Sequence, residues 1–257
     1  MDQKTVDKRL KDEQEFHNEI FESDIRSKEV GKFYLINDAI HKDYERFIFD
    51  HPKNRVYLEY GCGMGKGNRL VKLASEGAVA HGIDISDYAI ENLASIAREK
   101  NIPISYSVMN AEDMTFDDDT FDVIFGTGIL HHLDLDKSYS NISKKLKQNG
   151  TAIFIEPLGH NPLINRFRNK TPDIRTDDEH PLLMKDFKTA NRYFDKVDVK
   201  YFYLTTLAVP VIFKNNPPKF LLGFFNSVDK VIFTLLPFMR KYAWQVLVKF
   251  SNTNENR

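Results

Sequence analysis

The chain reads as an α/β fold in which a parallel sheet lies between two layers of helices, and three observations predict it. From Val56 onward, short apolar runs with strand character alternate with helix-forming stretches, a pattern that makes successive strands parallel through helical crossovers. The run from Val56 to Gly67, V-Y-L-E-Y-G-C-G-M-G-K-G, takes a strand ending in an acid directly into glycines at 61, 63 and 65. Finally, Glu59, Asp84, Asn110, Thr127 and Glu156 all stand at the ends of such runs. These are the carboxyl ends, where open sheets of this kind bind ligands.

The elements follow in order. Strands are predicted over 56–60, 79–85 (V-A-H-G-I-D-I), 104–109, 121–126 and 151–156, with helices over about 66–76, 87–100 and 136–147. Ser86 and Asp87 suit the start of the second of these helices, and Asn149-Gly150 reads as a stop for the third. A sixth strand fits 197–204, and A-W-Q-V-L-V-K-F at 243–250 fits a last one. Ahead of the first strand, Phe33, Ile36, Ile40, Tyr44 and Phe47 recur at helical spacing, predicting an amphipathic helix that packs on the core or closes over a ligand. Residues 1–15 are charged and show no period, so a frayed or weakly helical start is expected. The divisions are thus an N-terminal helical segment at 1–50, a core at 51–204, an apolar helical segment at 205–242, and a final strand and tail at 243–257.

With 257 residues, 42% of them hydrophobic, and a formal charge of −1, the chain is long enough for one well-filled core with an elaboration. Near-zero charge and the lack of a long basic run disfavour nucleic acid as a partner. One cysteine, Cys62, excludes an internal disulfide or a cysteine metal cluster and suits a reducing compartment. Its place in the glycine turn reads as packing. The first ten residues, M-D-Q-K-T-V-D-K-R-L, lack the apolar stretch of a signal peptide, so a cytoplasmic protein is expected.

The glycine spacing separates two nucleotide-binding patterns. A dinucleotide site of the form G-x-G-x-x-G needs a third glycine at 66, where this chain has Lys66. The observed E-x-G-x-G-x-G instead resembles the first motif of class I S-adenosylmethionine-dependent methyltransferases, a Rossmann-like fold. Three later segments extend the resemblance in order: Asp84 at the end of the second strand, N-A-E-D-M-T-F after the third, and F-D-V-I-F-G-T-G-I-L-H-H-L from Phe121 to Leu133. It covers Val56 to about Glu156 and is nearest to the type 11 group that includes ubiquinone- and menaquinone-pathway methyltransferases. It implies that Glu59 supports the cofactor's methionyl ammonium, and that Gly61, Cys62 and Gly63 approach it by backbone. It further implies that Asp84, followed by Ile85, accepts the ribose hydroxyls. Asn110 would meet the adenine amine, with the backbone of Ala111 and Glu112 at the ring nitrogens, and Thr127 and Gly128 would line the methionyl arm. Asn110 departs from the aspartate of many relatives, but its amide oxygen accepts the same bond. The resemblance also implies that the last two strands form an antiparallel hairpin ending the sheet.

For chemistry, His131 and His132 follow the fourth strand at the rim of the cleft. Either one faces the pocket as a base for a protonated acceptor while the other packs or caps, or both are structural. After the fifth strand, Glu156, His160, Arg175, Glu179 and His180 are further acceptor-binding or base candidates. A metal site from Glu156, His160, Asp178, Glu179 and His180 matches no ligand spacing, and salt bridges to Arg166, Arg168 and Arg175 explain the same residues, so no metal is expected.

The segment 205–242 places Leu221, Phe224, Phe225, Val228, Val231, Ile232 and Leu235 at helical spacing, interrupted by Asp229 and Lys230. That is too broken to span a bilayer. It is expected to be a cap over the active site, a dimer surface, or an interfacial helix giving peripheral membrane contact. The sequence therefore predicts a methyltransferase using S-adenosylmethionine on a small apolar or amphipathic acceptor, at oxygen in preference to nitrogen or carbon. Its alternatives are a non-catalytic cofactor- or partner-binding module of the same fold and, disfavoured by Lys66 and Glu59, a nicotinamide oxidoreductase.

Overall fold

The computed structural model describes residues 3–23, 36–65, 67–171, 179–213 and 218–252. Phe33, Lys66, Arg175 and Asp178, singled out above, lie outside the described residues. Among those described, one seven-stranded sheet runs in the order β3-β2-β1-β4-β5-β7-β6. Its strands are β1 (Val56–Tyr60), β2 (Val79–Asp84), β3 (Ile104–Val108), β4 (Phe121–Thr127), β5 (Leu146–Pro157), β6 (Lys196–Phe202) and β7 (Gln245–Ser251). The first five are parallel, while β7 runs antiparallel between β5 and β6, giving the hairpin the resemblance implied. Chain order reverses between β1 and β4, which opens a crevice at their carboxyl ends.

Both faces of the central strands are buried, so these strands read as near-continuous apolar runs. On one face Leu58, Ile124, Phe154 and Phe250 pack with Tyr139 and Ile142 of α5 (Leu135–Lys145). On the other, Tyr57, Phe125 and Ile153 pack with Ile40, Tyr44 and Ile48 of α2 (Asp38–Ile48). Each such side chain contributes roughly 1.5–3 kcal/mol on burial. The intervening helices are α3 (Arg69–Ser75) and α4 (Asp87–Glu99). The Ser86 hydroxyl caps α4 by accepting the Ala89 N–H, as its position suggested.

Two expectations are corrected here. Residues Gln3–Ser23 form a continuous helix, α1, which packs against α4 instead of fraying. Leu10, Glu13, His17, Ile20 and Phe21 recur every three or four residues along it, a stripe hidden because two members are ionisable. Likewise Asn149-Gly150 does not stop a helix: α5 ends at Lys145 and β5 starts at Leu146, which pairs with Phe121. Asn149 instead takes a positive φ of 62° within that long strand, where the register to β4 shifts. Beyond β5 come α6 (Pro162–Arg168), α7 (Met184–Ala190), α8 (Ala208–Phe213) and α9 (Lys219–Leu235).

Candidate active site

The carboxyl ends of the parallel strands, together with α1 and α2, enclose a cavity of about 940 Å³. Gly61 turns the chain out of β1 at φ +70°, and a Cβ there would lie 2.8 Å from the Ile129 side chain, so only glycine fits. Gly63 directs its N–H at Asp84 Oδ2, 2.7 Å away, while Asp84 Oδ1 accepts the Ser86 N–H at 2.9 Å. Asp84 thus pins the glycine turn to the end of β2. Each carboxylate oxygen carries a second lone pair for a ligand hydroxyl.

Glu59 is 6% exposed at the end of β1, and burial pushes its carboxyl up to about 8 against the opposing pull of Arg69. Arg69 Nη1 stands 3.9 Å from Glu59, its guanidinium lies over the Tyr44 ring, and Nη2 is 3.4 Å from His41 Nδ1. Arg69 went unrecognised in the sequence because nothing in the glycine motif calls for it. Asn110 closes a local turn by accepting the Glu112 N–H at 2.9 Å, and the Tyr60 hydroxyl fixes Ala111 O at 2.6 Å. An amide oxygen has two lone pairs, so the Asn110 turn leaves one for a ligand amine.

Glu59, Gly61, Cys62, Gly63, Asp84, Ile85, Asn110, Ala111, Thr127 and Gly128 all line the cavity. Glu112 does not: its buried carboxylate accepts the Arg9 guanidinium and the Asp134 N–H, tying α1 to the start of α5. Gln14 donates to Ile85 O at 2.9 Å and Asn18 to Asp87 at 2.8 Å, so α1 is laced by polar bonds across the mouth of the site. Residues expected to fray therefore form its cover. The segment 205–242 does not cover it, since none of its described residues lines the cavity; Trp244 and Gln245, just beyond, do.

The two histidines separate by partner. His131 Nδ1 donates to Glu156 Oε2 at 2.7 Å, and its Nε2 lies 3.6 Å from Glu179. Burial alone would lower its pKa, yet the bonds to Glu156 and Glu179 raise it. Glu179 is likewise pushed up by burial, but the bond to His131 and the charges of both histidines and Arg168 hold it well below the carboxylate range. Its salt bridge to Arg168 at 2.9 Å matches the sequence expectation. His132 is 4% exposed, and burial together with the neighbouring His131 lowers it to about 4. Neither of its ring nitrogens has a hydrogen-bond partner among the described residues, and the Glu13 carboxylate of α1 lies 3.6 Å from Nδ1. His17 lies 3.3 Å from the same carboxylate.

Three expected contributors fall elsewhere. Glu156 is fully buried, and its Oε1 accepts the N–H groups of Ile129 and Leu130, so it shapes the turn beneath His131 and does not line the cavity. His160 accepts the Met184 N–H at 3.2 Å outside the cavity. His180 is exposed, and its backbone N–H reaches His131 O. Donor atoms of Glu13, His17 and His132 do lie within 4.8 Å of one another, as do those of His131, His132 and Glu179. Their mutual ion pairs account for both groupings.

Residues 58–154 match a family model described as a methyltransferase domain. Phosphoethanolamine N-methyltransferase 2 of Caenorhabditis elegans is 34% identical over 107 residues, covering 40% of this chain and 24% of that protein. The ubiquinone biosynthesis O-methyltransferase of Coxiella burnetii is 30% identical over 122 residues, covering 47% of this chain and 50% of that protein. The chain thus spans half or less of the length of these two curated relatives. The Haemonchus contortus phosphoethanolamine N-methyltransferase 2 solved with S-adenosyl-L-methionine superposes with a TM-score of 0.62 at 18% identity, over 93% of this chain and 60% of that one. At that identity the likeness shows a shared fold.

Proposed function

The chain carries a class I S-adenosylmethionine-dependent methyltransferase domain, and from this premise we propose that it methylates a small apolar or amphipathic acceptor, at oxygen. The observation that carries the reading is the convergence on a single cavity of a buried strand-end acid, Glu59, a half-buried one, Asp84, and a neutral imidazole, His132, whose ring nitrogens make no hydrogen bond among the described residues. A buried carboxyl whose burial outweighs the pull of Arg69 gains from an ammonium beside it, and an acid beside a glycine turn suits a ribose diol. Glu59 and Asp84 would hold those two ends of the cofactor, with Asn110 and the Ala111 backbone at its base. When bound, the cofactor supplies an electrophilic methyl group on a sulfonium.

The remaining chemistry belongs to residues of this chain. His132, neutral at pH 7, takes the acceptor's proton at Nε2, while Glu13 near Nδ1 stabilises the imidazolium that forms. His131 holds the turn in place through Glu156 and is a positioning residue. The acceptor side is lined by Ile20, Phe21, Ile164, Phe167 and Trp244, which supports an apolar substrate, and closure by α1 keeps water away from the reacting groups. Incubation of the protein and Asp84→Ala with methyl-labelled S-adenosylmethionine and a cell extract tests the proposal. Label in the lipid-soluble fraction, absent with the variant, is expected. Label only in macromolecules, or none with any extract, would overturn it, the latter in favour of a non-catalytic cofactor-binding module.

A further inference from the structure

Among the described residues, eight of the thirteen exposed large apolar side chains fall between residues 212 and 238, a concentration larger than scattered surface exposure explains. Four of them, Phe220, Phe224, Val231 and Leu235, are 56–75% exposed on α9. At 100° per residue they lie within about 60° of one another around the helix axis. The orientation of α9 is fixed from the opposite side. Leu222, Asp229 and Phe233 are buried there, and the Asp229 carboxylate accepts the N–H groups of Leu204 and Thr205 and the hydroxyls of Thr205 and Thr206. The apolar stripe therefore cannot roll inward without breaking that clamp. Phe238, 64% exposed, follows just after the helix.

Charge decides the occupant. Between residues 205 and 243 the sequence holds five basic residues and one acid, Asp229, and that acid is the 2% exposed clamp. Every other ionic group of the segment is positive, in a chain whose net charge is −1. Lys219 and Lys230 are both exposed and lie within about 20° of each other on one flank of α9, about 80–100° round the axis from Phe220, at the border between the apolar stripe and the buried face. A second copy docking by twofold symmetry would press these like charges together. No described helix is long and apolar enough to cross a membrane. An apolar stripe bordered by lysines matches a helix lying in the plane of an anionic bilayer surface.

We propose that α9 and the turn after it dock this protein on anionic lipid membranes, with Phe220, Phe224, Val231 and Leu235 entering the interface. The inference stands independently of the methyl-transfer reading. Flotation of the full chain with phosphatidylglycerol–phosphatidylcholine vesicles and with phosphatidylcholine vesicles alone tests it. Binding should be confined largely to the anionic vesicles and weaken as salt rises. Phe220→Ser/Phe224→Ser/Leu235→Ser should lower partitioning at least about tenfold, and Lys219→Glu/Lys230→Glu by about fivefold or more per charge, with unchanged circular dichroism for both. The charge variant keeps the test decisive if the triple variant misfolds. Failure to float with either vesicle would overturn the proposal. So would equal binding by the wild type and both variants, or a dimer in light scattering that the triple variant dissolves while no vesicle is bound.

Discussion

Glu156 and His131 meet at 2.7 Å in the fully buried floor of the site, where the same carboxylate also gathers the N–H groups of Ile129 and Leu130. The bonds to Glu156 and Glu179 outweigh burial and raise the His131 pKa. A histidine raised on folding contributes stability that is complete below its unfolded pKa near 6.5 and is lost as pH rises through the higher folded value. Glu156→Gln should therefore cost about 2 kcal/mol at pH 6 and flatten the decline of stability above pH 6.5. Urea melts at half-unit pH steps check this. An unchanged slope would remove Glu156 as the group that holds His131.

His132 is the neighbour without a hydrogen-bond partner. His132→Asn should slow turnover by about 10²–10⁴ while leaving S-adenosylmethionine affinity within about twofold, because no cofactor-binding role is assigned to its ring. Replacing both histidines should also leave cofactor binding intact. Single-turnover kinetics beside a calorimetric titration separate the two effects, and undiminished turnover would eliminate a base at this position.

How far the site was legible in the sequence depended on how local its causes are. Glu59, the glycine turn and Asp84 sit at fixed offsets because a strand–turn–helix unit dictates them, so the order of the core emerged from spacing, while Asn110, Ala111, Thr127 and Gly128 were reached only through the family resemblance and line the same cavity. Glu112 alone turned away from the cavity, since its partners Arg9 and Asp134 are distant in sequence. The cover by α1 was hidden for a related reason. Its inward stripe includes Glu13 and His17, which pair with each other and meet His132 across the cavity wall, a contact no periodicity encodes. The apolar segment 205–242 was visible, but apolar periodicity could not say which face the Asp229 clamp would turn outward.

Arg9 ties α1 to the core through Glu112 and His132 O. Arg9→Ala leaves a buried carboxylate short of its strongest partner, a loss of about 1.5–3 kcal/mol in holding the cover closed. Cofactor dissociation should accelerate by about tenfold or more, with faster hydrogen exchange confined to α1. Stopped-flow displacement and exchange mass spectrometry read these together. Faster exchange with unchanged dissociation would mean that α1 does not gate the cofactor.

Asp84 connects the second strand to the glycine turn through the Gly63 N–H. Asp84→Ala removes both that tie and the acceptor proposed for the ribose hydroxyls, so cofactor affinity should fall by about 1–3 kcal/mol in calorimetry. Unchanged affinity would refute the assignment.

Cofactor binding is expected to be a proton-linked event, with Glu59 at the proposed ammonium end. With its carboxyl held near 8, most of it is protonated at pH 6, yet an ammonium ligand is stabilised only by the ionised form. Binding at neutral pH must then expel the Glu59 proton, and affinity should rise about tenfold per pH unit below about pH 7, then turn over near pH 8, where the ligand's own α-ammonium, with an ordinary pKa of about 7.7–8.0, starts to lose its proton. Calorimetry at pH 7 in buffers of different ionisation enthalpy should detect the released proton. Glu59→Gln removes the titrating group, so its weaker binding should no longer depend on pH through this range. The persistence of the full slope in Glu59→Gln would assign the proton to another group and take Glu59 away from the ammonium end of the cofactor.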